Sequence, residues 1–296
     1  MNKSESIINE IVEYNEGIPC HILTSYYDGS PFYTQPGKTF VPLHWHKDVE
    51  INFSIEANIA TQINGCEYEG EDDSFIIINS GYIHGNTYAT KELTDKTPRL
   101  LGICLRISDS FFRKILPNFD CLEFNTIWKP YTGRPKEIAI ELSKYGYPDS
   151  HLGKYENLLV DSLIYELVYY LCKENLMVKD DSLSDSDKRN LDCVREIMTY
   201  IENNYKNPID EVSLANKFGY TPTYFSKIFK KYANITYKEF LTKTRIAAAK
   251  QQLIESTRDV TSIAMDCGFS DVRGLINSFK RIEGTTPNAY RKNLTK

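Results

Sequence analysis

Two similar segments near the C-terminus constrain this chain more than any other feature. The first segment begins at Asp210 and ends at Lys231, and the second begins at Asp259 and ends at Arg281. Aligned residues are 49 positions apart before a central turn and 50 positions apart after it. A repeat of this kind indicates that one supersecondary unit occurs twice. The aligned pairs include Leu214 with Ile263, Ala215 with Ala264, Gly219 with Gly268, Phe229 with Phe279 and Phe240 with Tyr290.

Each unit has the pattern of a helix, a tight turn and a second helix. A short segment of apolar periodicity ends at a glycine, which adopts the left-handed conformation of a helix C-cap at no steric cost. In the first unit, Thr221 is predicted to cap the second helix, with Pro222 at its first position. In the second unit, the predicted cap is Ser270. A spacing of three and four residues predicts that one face of the first unit's second helix is buried. The apolar residues of that face are Phe225, Ile228, Phe229 and Tyr232.

The opposite face of that helix carries small polar groups and cations. Its members are Thr223, Ser226, Lys227, Lys230 and Lys231. A helix-turn-helix that exposes such groups on its second helix suits the major groove of DNA. An ordinary helical hairpin with a solvated basic face is the alternative for one unit, and the presence of two units favours DNA binding.

The segment between the units predicts a rigid spacer. Thr236 and Glu239 form a capping-box pattern that opens a helix running to about Glu255. Leu241, Ile246, Ala249 and Leu253 line its predicted buried side. About twenty residues at ~1.5 Å each span roughly 30 Å. This length is close to the ~34 Å between successive major-groove faces of B-DNA, so one monomer can place two reading helices on one side of a duplex.

The C-terminal third resembles the DNA-binding domain of the AraC/XylS family of transcription regulators. The resemblance is carried by Phe225–Lys231, Ala247–Leu253, Ile263-Ala264, Gly268-Phe269 and Thr286–Arg291. It implies base-edge contacts from Thr223, Ser226 and Lys227 in the first unit, and from Arg273, Gly274 and Asn277 in the second. Further DNA contacts are expected from Tyr224, Lys230, Lys231, Lys280 and Arg281.

Two positions depart from the family pattern. Asn234 stands where the family usually has glycine after the first reading helix, and asparagine tolerates the same left-handed conformation. The run Val272–Ile276 replaces the usual polar and aromatic run, and Gly274 within it weakens helix propensity.

Charge is distributed unevenly over the 296 residues. Residues 1–187 contain 16 Lys and Arg against 29 Asp and Glu, whereas residues 188–296 contain 19 against 11. The basic C-terminal third is the electrostatic pattern expected of a module that contacts phosphates.

The remaining composition predicts a cytoplasmic protein. No apolar run has the length of a membrane span, and the first ten residues lack the apolar core of a signal peptide. The seven cysteines are scattered without a CxxC motif. They are predicted to be reduced thiols.

The N-terminal half predicts an antiparallel sandwich or small barrel. Short apolar or alternating runs are separated by Gly, Asn and Asp, and Asn64-Gly65 is a strong hairpin signal. The runs are Leu43–Ile55, Ile59–Ile63, Phe75–Ile78 and Leu100–Ile107. The predicted fold class is therefore α+β, with an N-terminal β-barrel flanked by helices and an all-α C-terminal domain.

A cluster of histidines lies within this half. If residues 43–53 form one strand, His44, His46 and Glu50 share one face, and Leu43, Trp45, Val49, Ile51 and Phe53 share the other. Together with His84, this pattern resembles the two motifs of cupins, although Asn79 replaces a usual proline. By that resemblance, His44, His46, Glu50 and His84 would hold a divalent metal such as Zn, Fe, Mn or Ni.

Three interpretations of this cluster remain open. It binds a metal, it contributes with Trp45 to a pocket for a small molecule, or it is only structural. The sensor domains of the AraC/XylS family resemble cupins and commonly keep a His-Trp-His signature where no metal is established. Trp45 and Trp128 are candidates for stacking on a sugar ring.

The segment between the predicted barrel and the repeats has helical periodicity. Gly133–Tyr145 and Lys154–Met177 are predicted helices. The longer one has an apolar stripe that either covers the barrel or pairs with a second subunit. The stripe contains Leu159, Leu163, Leu167, Tyr170 and Leu171, and its flank contains Leu158, Ser162, Tyr165 and Tyr169.

These patterns predict three parts. Residues 1–180 form a cupin-like sensing domain with a dimerisation segment at about 133–177. Residues 181–189 form a charged linker, and residues 190–296 form the double helix-turn-helix domain, which opens with a helix over 190–205.

The predicted function is a ligand-responsive, sequence-specific transcription regulator without catalytic activity. We expect a homodimer that binds double-stranded DNA, responds to a sugar or sugar derivative, contacts RNA polymerase and activates metabolic genes. The alternative is a metal-dependent cupin enzyme fused to a DNA-binding domain. A third interpretation is a regulator without an effector, controlled by its abundance.

Overall fold

The computed structural model describes most of both predicted domains. The described residues are 20–27, 39–55, 59–88, 97–130, 133–146, 155–179 and 184–294. The N-terminal part consists of antiparallel β-sheets with helices, and the C-terminal part consists of helices. The α+β fold class predicted from the sequence is confirmed.

Two antiparallel sheets form the framework of the N-terminal part. One has five strands in the order β1-β8-β3-β6-β10, and the other has four in the order β2-β7-β4-β5. A small pair, β9 with β11, lies apart from them. The strands are β1 Cys20–Tyr27, β2 Thr39–His44, β3 Val49–Ser54, β4 Ile59–Ile63, β5 Cys66–Glu69, β6 Ser74–Ile78, β7 His84–Tyr88, β8 Arg99–Ile107, β9 Leu122–Phe124, β10 Ile127–Trp128 and β11 Leu176–Val178.

Strand β3 shows how the sequence divides the faces of the larger sheet. Val49, Ile51 and Phe53 are buried in one hydrophobic core with side chains of the N-terminal helices. Glu50 and Asn52 alternate with them and face a cavity that side chains of both sheets line. The apolar face is thus covered by helices, and the polar face looks inward.

The helices on the larger sheet are α1 Asp109–Ile115, α2 Arg134–Leu142 and α3 Glu156–Asn175. The buried face of α3 packs into the same core as β3, which favours the covering role predicted for this helix. Its buried apolar residues are Val160, Leu163, Ile164, Leu167, Val168 and Leu171.

The exposed side of α3 differs in part from the prediction. Leu159, expected in the buried stripe, is 43% exposed. The helix ends at Asn175, and Met177, expected in the helix, lies in β11. Lys154 lies outside the described residues. Large hydrophobic groups remain exposed on this side, namely Tyr155, Leu158, Leu159, Tyr165 and Tyr169.

The predicted strand over residues 43–55 is two strands. The backbone leaves the extended path at residues 45–48, between β2 and β3. The prediction that Leu43 and Trp45 share a strand face with Val49 was therefore wrong. Both residues pack with the C-terminal part instead. The Asn64-Gly65 turn is confirmed, since both residues have positive φ and connect β4 to β5.

The C-terminal part consists of seven helices among the described residues. They are α4 Asp185–Asn204, α5 Glu211–Lys217, α6 Pro222–Ala233, α7 Tyr237–Glu255, α8 Val260–Asp266, α9 Val272–Glu283 and α10 Pro287–Leu294. Ser184 caps α4 by accepting a hydrogen bond from the Asp187 backbone. Residues 185–189 of the predicted linker are therefore helical, because the capping serine starts the helix five residues before the predicted position.

Helix α7 joins two separate hydrophobic cores. Tyr237, Phe240 and Leu241 at its start are buried with α4, α5 and α6. Ile246, Ala249 and Leu253 further along are buried with α8 and α9. Both halves of α7 are thus fixed by packing, as a rigid spacer requires.

Two general features complete the fold. In the described part of the chain, no helix combines the length and the apolar character needed to span a bilayer. None of the seven cysteines forms a disulfide.

Candidate nucleic-acid interface and histidine cluster

The two helix-turn-helix units are built from equivalent local contacts. Asp210 caps α5 and Asp259, 49 residues later, caps α8, each by accepting a hydrogen bond from a serine backbone amide. Gly219 and Gly268 turn the chain with φ of +77° and +81°. The predicted repeat is therefore present as a repeat of structure.

The caps of the second helices extend this equivalence and correct one prediction. Thr221 caps α6 as expected. The residue that caps α9 is Asp271, not Ser270, and its carboxylate accepts a hydrogen bond from Gly274 N at 2.7 Å. Asp271 lies 50 positions after Thr221, so the offset of the repeat identifies the correct cap.

Both departures from the family pattern are accommodated. Asn234 ends α6 in the left-handed conformation with φ of +55°, and Gly284 does the same for α9. Gly274 lies in the first turn of α9, where its amide is bound by the capping carboxylate. Helix α9 therefore forms over its full predicted extent.

The predicted reading face of α6 is exposed. Thr223, Tyr224, Ser226, Lys227, Lys230 and Lys231 all lie at the surface. Phe225 and Phe229, on the opposite face, are completely buried. In the second unit, Arg273, Asn277, Lys280 and Arg281 are exposed, whereas Gly274 is half-buried.

Three groups of the α6 face are engaged within the protein. The Tyr224 hydroxyl accepts a hydrogen bond from Asn190 at 2.9 Å, and the Ser226 hydroxyl donates to Glu211. Lys231 Nζ lies 2.6 Å from Asp187 Oδ1. A hydrogen bond from Lys231 lowers the pKa of Asp187 below its usual range. Within the described residues no ion pair involves Lys227 or Lys230, so these cations are the ones available to DNA.

The histidine cluster lies where β2, β3 and β7 meet. Strand β2 ends at His44, directly opposite His84 at the start of β7. His46 follows in the loop, and Glu50 is the second residue of β3. Their potential ligand atoms all lie within 4.8 Å of one another. The four residues predicted to act together are thus brought together.

Backbone carbonyls orient all three imidazole rings. Nδ1 lies 2.9 Å from Pro42 O in His44, 3.1 Å from Asp48 O in His46 and 2.8 Å from Tyr82 O in His84. A carbonyl oxygen only accepts hydrogen bonds, so each Nδ1 is the donor. In a neutral ring the lone pair is then on Nε2.

Burial determines the charge of this cluster. Burial, together with repulsion from His84, lowers the pKa of His44 well below its usual value. Burial also lowers the pKa of His46. Burial by itself would raise the pKa of Glu50, but the neighbouring His84 and His46 lower it well below its usual range. Burial therefore favours neutral rings at His44 and His46 beside an ionised, buried Glu50.

The donor set fits a divalent transition metal. His46 Nε2 is 3.1 Å and His84 Nε2 is 3.4 Å from Glu50 Oε2. Two ligands of a tetrahedral metal, each ~2.1 Å from it, are about 3.4 Å apart. Hydrogen bonds from the second ring nitrogen to carbonyls are the usual support of metal-binding histidines. His84 Nε2 is buried and makes no hydrogen bond, so in the neutral ring its lone pair is free to coordinate a metal ion.

A cavity of about 300 Å³ adjoins the cluster. Its walls come from both sheets and are mainly apolar, and His44 and Glu50 lie at its polar end. Trp45 and Trp128 are not among the described residues that line it. Trp128 packs on Phe75 in the outer core, with ring centroids 4.9 Å apart. Stacking of a sugar on these tryptophans therefore stays a prediction that the lining of this cavity does not support.

Several residues of the site were missed in the sequence. Asn52 Nδ2 donates to Glu50 Oε1 at 2.7 Å, and Arg106 Nη2 lies 3.4 Å from Asp48 Oδ2. The signal for Asn52 was its alternation with Glu50 along β3. The signal for Arg106 was a single cation inside an apolar strand.

The comparisons with known proteins concern mainly the C-terminal part. Residues 214–293 match a family model described as a helix-turn-helix domain. The raffinose operon transcriptional regulatory protein RafR of Pediococcus pentosaceus is 31% identical over 144 residues, which cover 47% of this chain and 48% of RafR. The Tn10 TetD protein of Escherichia coli is 29% identical over 100 residues, which cover 34% of this chain and 72% of TetD. The chain thus spans about half the length of RafR.

A solved structure shares the fold over both parts. ToxT of Vibrio cholerae, solved at 1.65 Å resolution, has a TM-score of 0.51 and 14% identity. The match covers 93% of this chain and 100% of that one.

Repeated caps, repeated turns, two exposed second helices and the matching family model agree with one another. Residues 214–293 therefore form a helix-turn-helix domain of the kind found in transcription regulators, which agrees with the resemblance to the AraC/XylS family.

Proposed function

We propose that this protein is a ligand-responsive, sequence-specific transcription regulator. The observation that carries the proposal is the pair of equivalent helix-turn-helix units joined by the single helix α7. The regulators among its relatives support this function over the alternative of a cupin enzyme. The DNA-bound chain acts in the cytoplasm.

Affinity and specificity come from different groups. Lys230 lies near the end of α6, where a cation suits a phosphate, and phosphate contacts supply most of the binding free energy. Lys227 lies near the middle of the exposed face, where a side chain meets base edges, and base contacts supply discrimination.

Two variants test this division on a duplex selected by the wild-type protein from a random library. Lys227→Ala should weaken binding to that duplex by about 1–3 kcal/mol and relax its sequence preference. Lys230→Ala should weaken binding to all sequences. It should also reduce by about 1 the salt slope, which is the slope of the logarithm of the binding constant against the logarithm of the salt concentration.

Lys144→Ala is the matched control, because it removes one exposed cation from the N-terminal part. It should leave affinity and salt slope unchanged. Wild-type affinity and preference in both α6 variants would contradict the assignment of this face.

We also propose that His44, His46, Glu50 and His84 hold a divalent transition metal. The support is that backbone carbonyls orient all three rings, and that Nε2 of His46 and Nε2 of His84 lie 3.1 Å and 3.4 Å from Glu50 Oε2. Bound there, the metal would supply a Lewis-acidic site for an oxygen or nitrogen atom of an effector at the polar end of the cavity.

Elemental analysis of protein purified without added metal tests this site. One equivalent of a transition metal is expected, and it should be lost in His46→Ala. Asn52→Ala keeps all four ligands but removes the hydrogen bond that orients Glu50, so metal affinity should fall by about 10- to 100-fold. Equal metal content in wild type and His46→Ala would refute the site.

The effector is proposed to occupy the adjoining cavity. A volume of about 300 Å³ is at the lower end of small-molecule sites, so it suits a monosaccharide-sized molecule. The raffinose operon regulator among the relatives supports control of carbohydrate genes. A thermal-shift screen of monosaccharides, sugar acids and small organic acids tests this class. A ligand that stabilises the wild type but not a variant with a filled cavity, such as Thr61→Phe, would support it.

The exposed side of α3 is proposed to form the homodimer contact. Leu158, Tyr165 and Tyr169 present apolar area there, and such residues are typical of interfaces. Sedimentation of Tyr165→Glu should show a monomer, with the wild type as dimer. As an activator, the dimer would also contact RNA polymerase.

A further inference from the structure

Trp45 connects the histidine cluster to helix α4, which packs against the first helix-turn-helix unit. Trp45 lies between His44 and His46, whose rings belong to the cluster. Its indole lies against α4, where Nε1 is 3.2 Å from Arg195 O and 3.3 Å from Thr199 Oγ1. The Arg195 guanidinium covers the indole ring at 5.8 Å from its centroid. Residues 44–46 therefore contact the site and α4 simultaneously.

The smaller sheet holds the same unit at two other places. Gln62 Nε2 donates to Ala233 O at the end of α6, at 2.9 Å. The turn at Gly65 lies so close to α6 that a Cβ there would be 2.9 Å from Lys231 O. Leu43 and Ile83 are buried in one core with residues of α4, α5 and α6.

The second unit has a different surrounding. The buried core around α8 and α9 has no member from the N-terminal part among the described residues. A change in the smaller sheet therefore acts on the first unit directly and reaches the second through α7 and through the end of α4, where Tyr205 packs against that core.

Metal binding requires the ligand atoms of the histidine cluster to come closer together. The ligand atoms lie within 4.8 Å of one another, whereas two ligands ~2.1 Å from one metal are at most about 4.2 Å apart. Two ligand atoms that are 4.8 Å apart must therefore approach each other by about 0.6 Å. Because Trp45 is covalently between two ligands, a closure that moves His44 or His46 would alter how its indole sits on α4.

We propose that Trp45 transmits occupancy of the histidine cluster to the first helix-turn-helix unit. The inference rests on the metal site proposed above. Metal that binds one arrangement of the Trp45 contact more tightly shifts the population toward it. DNA affinity then changes with metal, and by linkage metal affinity changes with DNA by the same factor.

The test uses the full chain, Zn²⁺ as the probe and the selected duplex. DNA dissociation constants are measured by fluorescence anisotropy with saturating Zn²⁺ and with a chelator. Zinc affinity is measured by competition with and without the duplex. One ratio compares the DNA dissociation constants with chelator and with Zn²⁺, and the other compares the zinc dissociation constants without and with the duplex. For the wild type, the two ratios should agree and should lie in the range of about 5- to 150-fold typical of allosteric coupling.

Variants at Trp45 separate transmission from binding. Trp45→Ala should still bind one zinc ion, but its ratio should fall to near one. Trp45→Phe keeps an apolar ring without the N–H donor and should give an intermediate ratio, which protects the test if the alanine variant folds poorly. Trp128 lies in the core between the larger sheet and the N-terminal helices. Trp128→Phe should therefore keep the wild-type ratio of DNA dissociation constants.

The outcomes distinguish the two proposals. A wild-type protein that binds no zinc overturns the metal site and the coupling with it. A wild-type protein that binds zinc with a ratio of one overturns the coupling alone. A full wild-type ratio in Trp45→Ala also overturns it, because transmission would then follow another route.

Discussion

Replacing Gly268 by alanine probes how the second helix-turn-helix unit is seated on α4. Gly268 has φ of +81°, and a Cβ built there lies 2.5 Å from Tyr205 O and 2.8 Å from Lys206 O. Both are backbone atoms at the end of α4, so neither can rotate away. Gly219, its equivalent in the first unit, has φ of +77°, but no atom of the described chain lies within 4 Å of an added Cβ. The repeat thus supplies its own matched control.

The two substitutions share one cost and differ in another. The left-handed conformation costs alanine roughly 1–2 kcal/mol at either position. At Gly268 the added methyl also forces backbone apart in a packed region, which costs about 1–3 kcal/mol more. We therefore expect Gly219→Ala to lower local stability by about 1–2 kcal/mol and Gly268→Ala by roughly 2–5 kcal/mol.

Hydrogen exchange followed by mass spectrometry measures these losses locally, which suits a chain with two domains that need not unfold together. Peptides from α5 and α6 report on the first unit, and peptides from α8 and α9 report on the second. Gly268→Ala should lose more protection in its own unit than Gly219→Ala loses in its own. Equal losses, or a smaller loss at Gly268, would refute the reasoning about its contact with α4.

Substitutions at three further positions follow from local structure. Burial raises the pKa of Glu202 to about 7, above the ~4.3 of a free glutamate. The folded state thus keeps a proton that the unfolded state releases between these values, so wild-type stability falls as pH rises from about 4.3 to 7. Glu202→Gln should raise the free energy of unfolding, measured with urea, by up to about 3 kcal/mol at pH 8 and should give no gain at pH 4. Glu196 is exposed, so Glu196→Gln should show no such difference between the two pH values. Asn234 has a φ of +55°. Asn234→Gly should therefore stabilise the end of α6 by several tenths of a kcal/mol, and Asn234→Ala should destabilise it by about 1 kcal/mol. An alanine variant that is more stable than the glycine variant in thermal unfolding would contradict this. Thr236→Ala removes the capping box of α7 and should cost about 0.5–2 kcal/mol, seen as faster amide exchange in the first turn of α7 than in its middle.

The repeat made most of the C-terminal part predictable. Apolar spacing of three and four located the buried face of α6, and the Thr236 capping box located the start of α7. The cap of α9 was misplaced by one residue because Ser270 and Asp271 are both good capping residues. Only the 50-residue offset from Thr221 separates them. The start of α4 was missed because its first turn is highly charged and resembles a linker.

The N-terminal part was less predictable because alternation cannot show where a strand breaks. Apolar and polar residues alternate through residues 43–53, yet the chain turns at residues 45–48. Strands β1 and β7 were missed because polar residues interrupt their apolar pattern, although Cys20 and Ile22 of β1 are buried in the core. His44, His46, Glu50 and His84 were identified from their spacing, but the carbonyl contacts that orient the rings depend on backbone geometry. No local pattern predicts that Trp45 would reach α4, 150 residues further along the chain.

The central claim is that α6 and α9 of one chain enter successive major grooves on one side of a duplex. Hydroxyl-radical footprinting of the wild-type protein on its selected site measures this directly, with Lys227→Ala and Arg273→Ala as the two reporters. Two protected patches per chain are expected about one helical repeat, ~10.5 base pairs, apart, with Lys227→Ala weakening one patch and Arg273→Ala the other. A single protected patch per chain, or both variants weakening the same patch, would contradict it.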